Sequence, residues 1–208
     1  MGLRPRRQSG RPIKSRVLIV GEGKKTEPYY FRGLRAEKAV DSRFAATVCK
    51  GPGYTPEAVV REAIKRKKEA AQSREGYQEV WCVLDVEGPD RRESLDAAAK
   101  LAKANGIGFV LSNPVFEVWL LAHFIRTSRA FLDCDAVIQE LDRHWPEVAK
   151  EKHGKGDERI YQRLAGRTGT AIDNARAVRE NDHKHVADTA DANSSTEVYR
   201  IVGRLLGQ

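Results

Sequence analysis

Cysteine is scarce in this chain. Cys49, Cys82 and Cys134 are the only three in 208 residues, an odd number with no Cys-x-x-Cys pair. That excludes a disulfide framework, and the thiols read as reduced groups of a cytoplasmic protein. Long apolar runs are missing too: none approaches the ~20 residues of a membrane span. No apolar stretch separates the N-terminal arginines from Val17, so the reading is of a chain without a signal peptide. Aromatic residues make up 7% of the chain and form no ribbon on which successive bases could stack. What is present, 40% hydrophobic and 32% charged residues, belongs to the soluble globular class. A chain of 208 residues makes one domain, with room for a small appendage.

The net charge of +8 resembles a nucleic-acid signal until it is located. Residues 1–16 hold Arg4, Arg6, Arg7, Arg11, Lys14 and Arg16 and no acid. Subtracting those six from the 37 basic residues leaves 31 against 29 acidic ones, a surplus of two. The leader can track phosphates or simply keep the protein dissolved, and the folded body carries no strong electrostatic signal.

Strand-like and helix-like segments alternate from Val17 onward. Val17-Leu18-Ile19-Val20 is a short, continuously apolar run, the pattern of a strand buried on both faces. Thr26 is the expected N-cap of a helix running through Tyr30, Phe31 and Leu34 to Val40. A second strand is expected from Phe44 to Cys49, then loop chemistry at Lys50-Gly51-Pro52-Gly53. Thr55-Pro56-Glu57 combines a capping hydroxyl, a proline at the first helical position and an acid in the first turn, so a helix is expected to about Gln72. Glu79–Leu84 reads as a third strand, Arg91–Asn105 as a helix stopped by Gly106, and Ile107–Leu111 as a fourth strand. Asn113-Pro114 is expected to cap an apolar helix from Val115 to Phe124. Helices then dominate: Asp135–Trp145, Asp157–Leu164, Ala171–Arg179 and Thr196–Leu206. Four strand–helix alternations predict an α/β parallel sheet flanked by helices, followed by a mainly helical C-terminal extension.

In an open parallel sheet, ligands bind beyond the carboxyl ends of the strands, so the residues that follow each strand are the ones to read. They are Glu22 after the first, Asp85 and Glu87 after the third, and Glu117 in the first helical turn after the fourth. Asp85 and Glu87, two apart, face the same side as long as the chain stays extended. Four carboxylates at one edge repel one another, and a hard divalent cation resolves that conflict. The set therefore points to metal-assisted phosphoryl chemistry. Each acid also has a plain structural reading: a solvated side chain, an Asp turn, or a helix-dipole partner. Gly21-Glu22-Gly23-Lys24-Lys25-Thr26 is not a P-loop, because Leu18 and Lys25 stand where that motif needs glycine and a hydroxyl. Lys24 and Lys25 are candidates for a phosphate near the acids, and Lys152 and Lys155 of the basic 150–156 loop for a nucleic-acid backbone. His183-Lys184-His185 reads as an exposed polar loop rather than a metal cluster, and His123 as a packing residue.

Three stretches resemble a known family. Ile19-Val20-Gly21-Glu22-Gly23-Lys24-Lys25-Thr26-Glu27-Pro28-Tyr29-Tyr30-Phe31 is similar to the opening motif of RloB-like proteins, found beside bacterial restriction and abortive-infection genes. Ser112-Asn113-Pro114-Val115-Phe116-Glu117-Val118-Trp119-Leu120-Leu121-Ala122-His123-Phe124 resembles their second motif, and Asn193-Ser194-Ser195-Thr196-Glu197-Val198-Tyr199 their C-terminal one. That family in turn resembles the Toprim fold of topoisomerases, primases and overcoming-lysogenization-defect nucleases. The resemblance implies a Toprim-like core over 16–125, a basic leader over 1–15 and a helical extension over 126–208. It implies Glu22 as general acid or base, and Asp85 and Glu87 as ligands of Mg²⁺, with Glu117 a further acid of the site. Glu87 departs from the aspartate expected there, so it is expected to bind through water or to favour Mn²⁺; Asp90 is an alternative. The activity implied is a metal-dependent phosphodiester nuclease on DNA or RNA in anti-phage defence, with an ABC-like ATPase as partner and a homo-oligomer as an open possibility. A non-catalytic nucleic-acid-binding or sensing subunit, and a regulatory module that binds a small phosphorylated ligand through metal without cutting polymers, are the competing readings.

Overall fold

The computed structural model describes residues 14–50, 55–73, 75–150, 153–154 and 156–208. Five strands form one sheet: β1 (Ser15–Gly21), β2 (Phe44–Lys50), β3 (Glu79–Asp85), β4 (Gly108–Asn113) and β5 (Ser195–Thr196). Their order is β2-β1-β3-β4-β5, with β5 antiparallel to β4 and the other neighbours parallel. Nine helices accompany the strands among the described residues: α1 (Thr26–Arg35), α2 (Lys38–Asp41), α3 (Pro56–Gln72), α4 (Arg92–Ala104), α5 (Glu117–Ala122), α6 (Cys134–His144), α7 (Ile160–Leu164), α8 (Thr168–Ala177) and α9 (Val198–Leu206). The protein is thus α/β, with a mostly parallel sheet flanked by helices and a helical C-terminal part.

The unbroken apolar run of β1 is explained by helices on both faces of the sheet. Leu18 and Val20 point to one side, where they meet Val59, Val60 and Ala63 of α3 and Leu95, Ala98 and Ala102 of α4. Val17 and Ile19 point to the other, into a larger cluster with Tyr30 and Phe31 of α1, Trp119 and Leu120 of α5, and Ile201 and Val202 of α9. Helix α3 starts as its sequence predicts, the Thr55 hydroxyl accepting from the Ala58 N–H at 3.2 Å with Pro56 at the first position. No helix among the described residues is long and apolar enough to cross a membrane.

Several boundaries depart from expectation. Thr26 is the first residue inside α1 rather than its cap. The helix stops at Arg35, and α2 carries the chain to Asp41. Asn113 does not cap a helix: it is the last residue of β4, and its side-chain amide donates to the carbonyls of Thr189 (3.2 Å) and Ala190 (2.8 Å). Helix α5 is accordingly shorter than the apolar run. The run from Val115 to Phe116 is apolar because it is buried beside the sheet, not because it is helical. Strand β5 had no signal of its own in the sequence; two residues are too few for alternation to register. The Lys50–Gly53 loop reading falls partly on Lys50, which ends β2; residues 51–54 lie outside the described residues.

Candidate functional site: an acidic cleft at the carboxyl edge of the sheet

Strand order determines where the site falls. From β1 the chain crosses to β2 on one side, and the later strands β3 and β4 lie on the other. The order reverses between β1 and β3, the place where a crevice opens in this class of sheet. Gly21 pairs with Val83, and the Glu22 N–H continues the ladder to the Val83 carbonyl at 3.0 Å. Glu22 and Asp85 thereby leave neighbouring strands at the same edge. The cleft there has a volume of about 640 Å³, and Glu22, Glu27, Asp85, Glu87 and Glu117 all line it. Lys24 and Lys25 stand exposed on its rim.

Each acid is held differently. Glu22 Oε2 accepts from the Asp85 N–H at 3.3 Å, and its Oε1 from Arg91 Nη2 at 2.5 Å. Asp85 closes β3, and its Oδ1 is buried without a hydrogen-bond partner. A buried carboxylate oxygen left unsatisfied is costly, so its presence needs a cause. Burial holds the Asp85 carboxyl well above its ordinary range, and the charges of Glu27, Glu117, Glu22 and Glu87 add to the effect. Glu117, in the first turn of α5, is 5% exposed. The expected extended alternation from Asp85 to Glu87 ends at Val86. Glu87 adopts a left-handed φ of +58°, and its carboxylate turns to Arg91 Nη1 at 2.8 Å. Asp90 is exposed and is not among the residues lining the cleft.

Glu27 is the acid that sequence reasoning missed. It reads as an ordinary first-turn acid, favourable to the helix dipole. In the structure it is 5% exposed and its Oε1 accepts from the Gly23 N–H at 2.8 Å. A Cβ on Gly23 would overlap that carboxylate, so the glycine is what allows Glu27 to fold back into the cleft. Burial raises the Glu27 carboxyl above its usual value; its backbone hydrogen bonds oppose the shift, and Glu117 and Glu22 reinforce it. The available signal was the glycine: an acid four residues after Gly23, in the bend that leads from β1 into α1.

The donor set fits a hard divalent cation. Five carboxylates supply oxygen ligands only, the chemistry Mg²⁺ and Mn²⁺ take, and the orphaned Asp85 Oδ1 is an acceptor waiting for a charge. Among the described residues, no three acid, histidine or cysteine side chains already stand within chelating distance of one another. The other sequence candidates sit elsewhere. His183 contacts the Ser194 carbonyl at 3.2 Å, Asp182 pairs with Arg126, and Asp188 with Arg92 at 2.9 Å. His123 is fully buried between the Trp119 carbonyl (3.0 Å) and the Tyr30 hydroxyl (3.3 Å). Lys152 and Lys155 lie outside the described residues.

The fold and site together define an α/β protein with a carboxylate-lined cleft at its topological switch point. The family model described as RloB-like protein matches residues 17–205, and the chain belongs to that family. Neither a curated protein nor a solved structure matches it.

Proposed function

We propose that this protein is a divalent-metal-dependent phosphodiester nuclease of Toprim type, working in anti-phage defence. The observation that supports it most directly is Asp85 Oδ1, buried and unpartnered among four further acids at the switch point of a parallel sheet. Asp85, Glu27, Glu87 and Glu117 are the residues that would hold Mg²⁺ or Mn²⁺. When bound, such a cation polarises a phosphate and eases deprotonation of a water molecule. Glu22 manages the proton. A water oxygen attacks phosphorus, the bond to the leaving oxygen breaks, and the proton passes by way of the Glu22 carboxylate to that oxygen. The Asp85 N–H on Oε2 orients this carboxylate along the strand edge. Lys24 and Lys25, on the rim, hold the phosphates on either side. Membership in the RloB-like family supports the defence role, and by resemblance an ABC-like ATPase is the partner that keeps the nuclease silent.

Purified protein is incubated with plasmid DNA, single-stranded DNA and total tRNA, in Mg²⁺, in Mn²⁺ and in EDTA. We expect cleavage that requires metal and falls at least about hundredfold in Glu22→Ala and Asp85→Ala. Silence of the wild type that persists with the ATPase partner and infected lysate added would sink the nuclease reading. Salt-sensitive binding without turnover or metal would then identify a nucleic-acid-binding subunit.

A further inference from the structure

A cation already holds two acids of the cleft from beside it, and it is a side chain. The Arg91 guanidinium donates from Nη2 to Glu22 Oε1 at 2.5 Å and from Nη1 to the Asp85 carbonyl at 3.2 Å. Nη1 also meets Glu87 Oε2 at 2.8 Å. The side chain is 18% exposed, so these contacts are made largely away from water. Backbone geometry places it there. The left-handed Glu87 donates its N–H to the Pro114 carbonyl at 2.8 Å, Gly88 to Val86 at 2.8 Å, and Arg91 to Gly88 at 3.2 Å. This tight turn brings residue 91 back over the end of β3.

Of the three acceptors, Glu87 Oε2 is an oxygen the proposed metal site needs, Glu22 is the proton carrier beside it, and the third is the backbone carbonyl of Asp85. The guanidinium and an incoming metal ion therefore compete directly for Glu87 and, as like charges, for the acidic edge around it. Arginine is not deprotonated in proteins, so raising the pH cannot clear it from the site; another cation can. With Glu22 and Glu87 both turned onto the guanidinium, two of the five acids are engaged before any ion arrives. Like charges gathered without compensation would repel, and Arg91 supplies that compensation in the metal-free protein.

We propose that Arg91 is a positioning residue that competes with the divalent cation, holding Glu22 and Glu87 until metal takes Glu87 from it and so raising the metal concentration at which the site fills. This inference rests on the metal-dependent reading of the cleft. A purely structural ion pair, or a clamp that pre-shapes the ligands, has the opposite signature: its removal weakens metal binding.

The test is calorimetric titration of the full-length protein with Mn²⁺, for wild type, Arg91→Gln, Arg91→Lys and Asp85→Asn, with melting curves in EDTA and in Mn²⁺. Arg91→Gln is expected to bind Mn²⁺ about tenfold or more tightly than wild type, the factor that one charge-assisted hydrogen bond is worth. Arg91→Lys keeps the charge but loses the two-pronged grip, so it should fall between them. In EDTA both variants should melt below wild type, and Mn²⁺ should raise their melting points by more. Equal or weaker binding in both variants, with Asp85→Asn abolishing binding, would overturn the inference and leave the metal reading intact. Tightening in Arg91→Gln alone would overturn the two-pronged competition and reduce the effect to net charge. No Mn²⁺ bound by wild type or by either Arg91 variant would bring down the metal reading and this inference with it.

Discussion

Asp85 and His123 are both shifted by burial, and their contributions run in opposite directions with pH. Burial raises the Asp85 carboxyl, and that of Glu27, so the folded protein holds protons that the unfolded chain has already released. Stability then falls as pH rises from the ordinary carboxylate range through the raised values. Asp85→Asn, which removes the charge but keeps the shape, should raise the melting temperature in EDTA at pH 7–8, by about 1–3 kcal/mol in unfolding free energy. A divalent ion should raise the melting temperature of wild type at that pH and leave the variant nearly unmoved. His123 works the other way: burial lowers its pKa to about 4. Its contribution is complete above the unfolded value near 6.5 and is lost as pH falls towards 4, up to about 3 kcal/mol. A glutamine at 123 should flatten the melting profile between pH 4 and 6.5 relative to wild type. Unchanged acid sensitivity in that variant would count against the buried neutral imidazole.

At the scale of an element, the turn from β1 into α1 combines helix start and cleft in one short segment. Lys25 occupies the cap position with no side-chain bond, and Glu27 instead reaches back past it to the Gly23 N–H, two residues before the cap. Gly23→Ala should therefore displace the Glu27 carboxylate, which is the movable partner in the overlap, rather than unfold the helix. We expect less than about 1 kcal/mol of lost stability and at least about tenfold weaker Mn²⁺ binding, read by urea melts and calorimetry. Thr55→Ala makes the contrasting case. Its cap bond serves helix α3 alone, so it should cost about 1 kcal/mol and leave metal binding untouched.

Over the whole molecule, the helical C-terminal part completes the core. Tyr161, Leu164, Ile172, Val198, Ile201 and Val202 are buried in the same cluster as Val17 and Ile19 of β1. Strand β5 pairs with β4, and the Asn113 side chain ties that strand to the turn at Thr189 and Ala190. A chain ending at residue 125 should therefore lack a cooperative melting transition, and one ending at 197 should melt well below the full-length protein. A stable, cooperative 1–125 fragment would show that strands β1–β4 and the first five helices form an independent core.

Some of this is written in local sequence. The apolar run of β1, the Thr55-Pro56-Glu57 start and the alternation of strand and helix announce an α/β sheet, because periodicity and capping depend on neighbours a few residues away. The rule that ligands gather at strand ends was enough to select Glu22, Asp85, Glu87 and Glu117, all of which line one cleft. Glu27 could not be chosen that way, since a first-turn acid looks the same whether it faces water or folds back past a glycine. Nor could Arg91 be chosen: its grip on Glu22, 69 residues away in sequence, depends on β1 and β3 lying side by side. Asn113 reads as a helix cap yet closes a strand, because its partners come from a turn at residues 189–190. The sequence by itself determined most of the strands and helices, β5 excepted, and that Glu22, Asp85, Glu87 and Glu117 reach the sheet edge, for those follow from short-range pattern. Only the tertiary structure decided which acids face one another, which oxygen is left without a donor and which cation stands among them. Those depend on strand order and on burial, to which residues far apart along the chain contribute together.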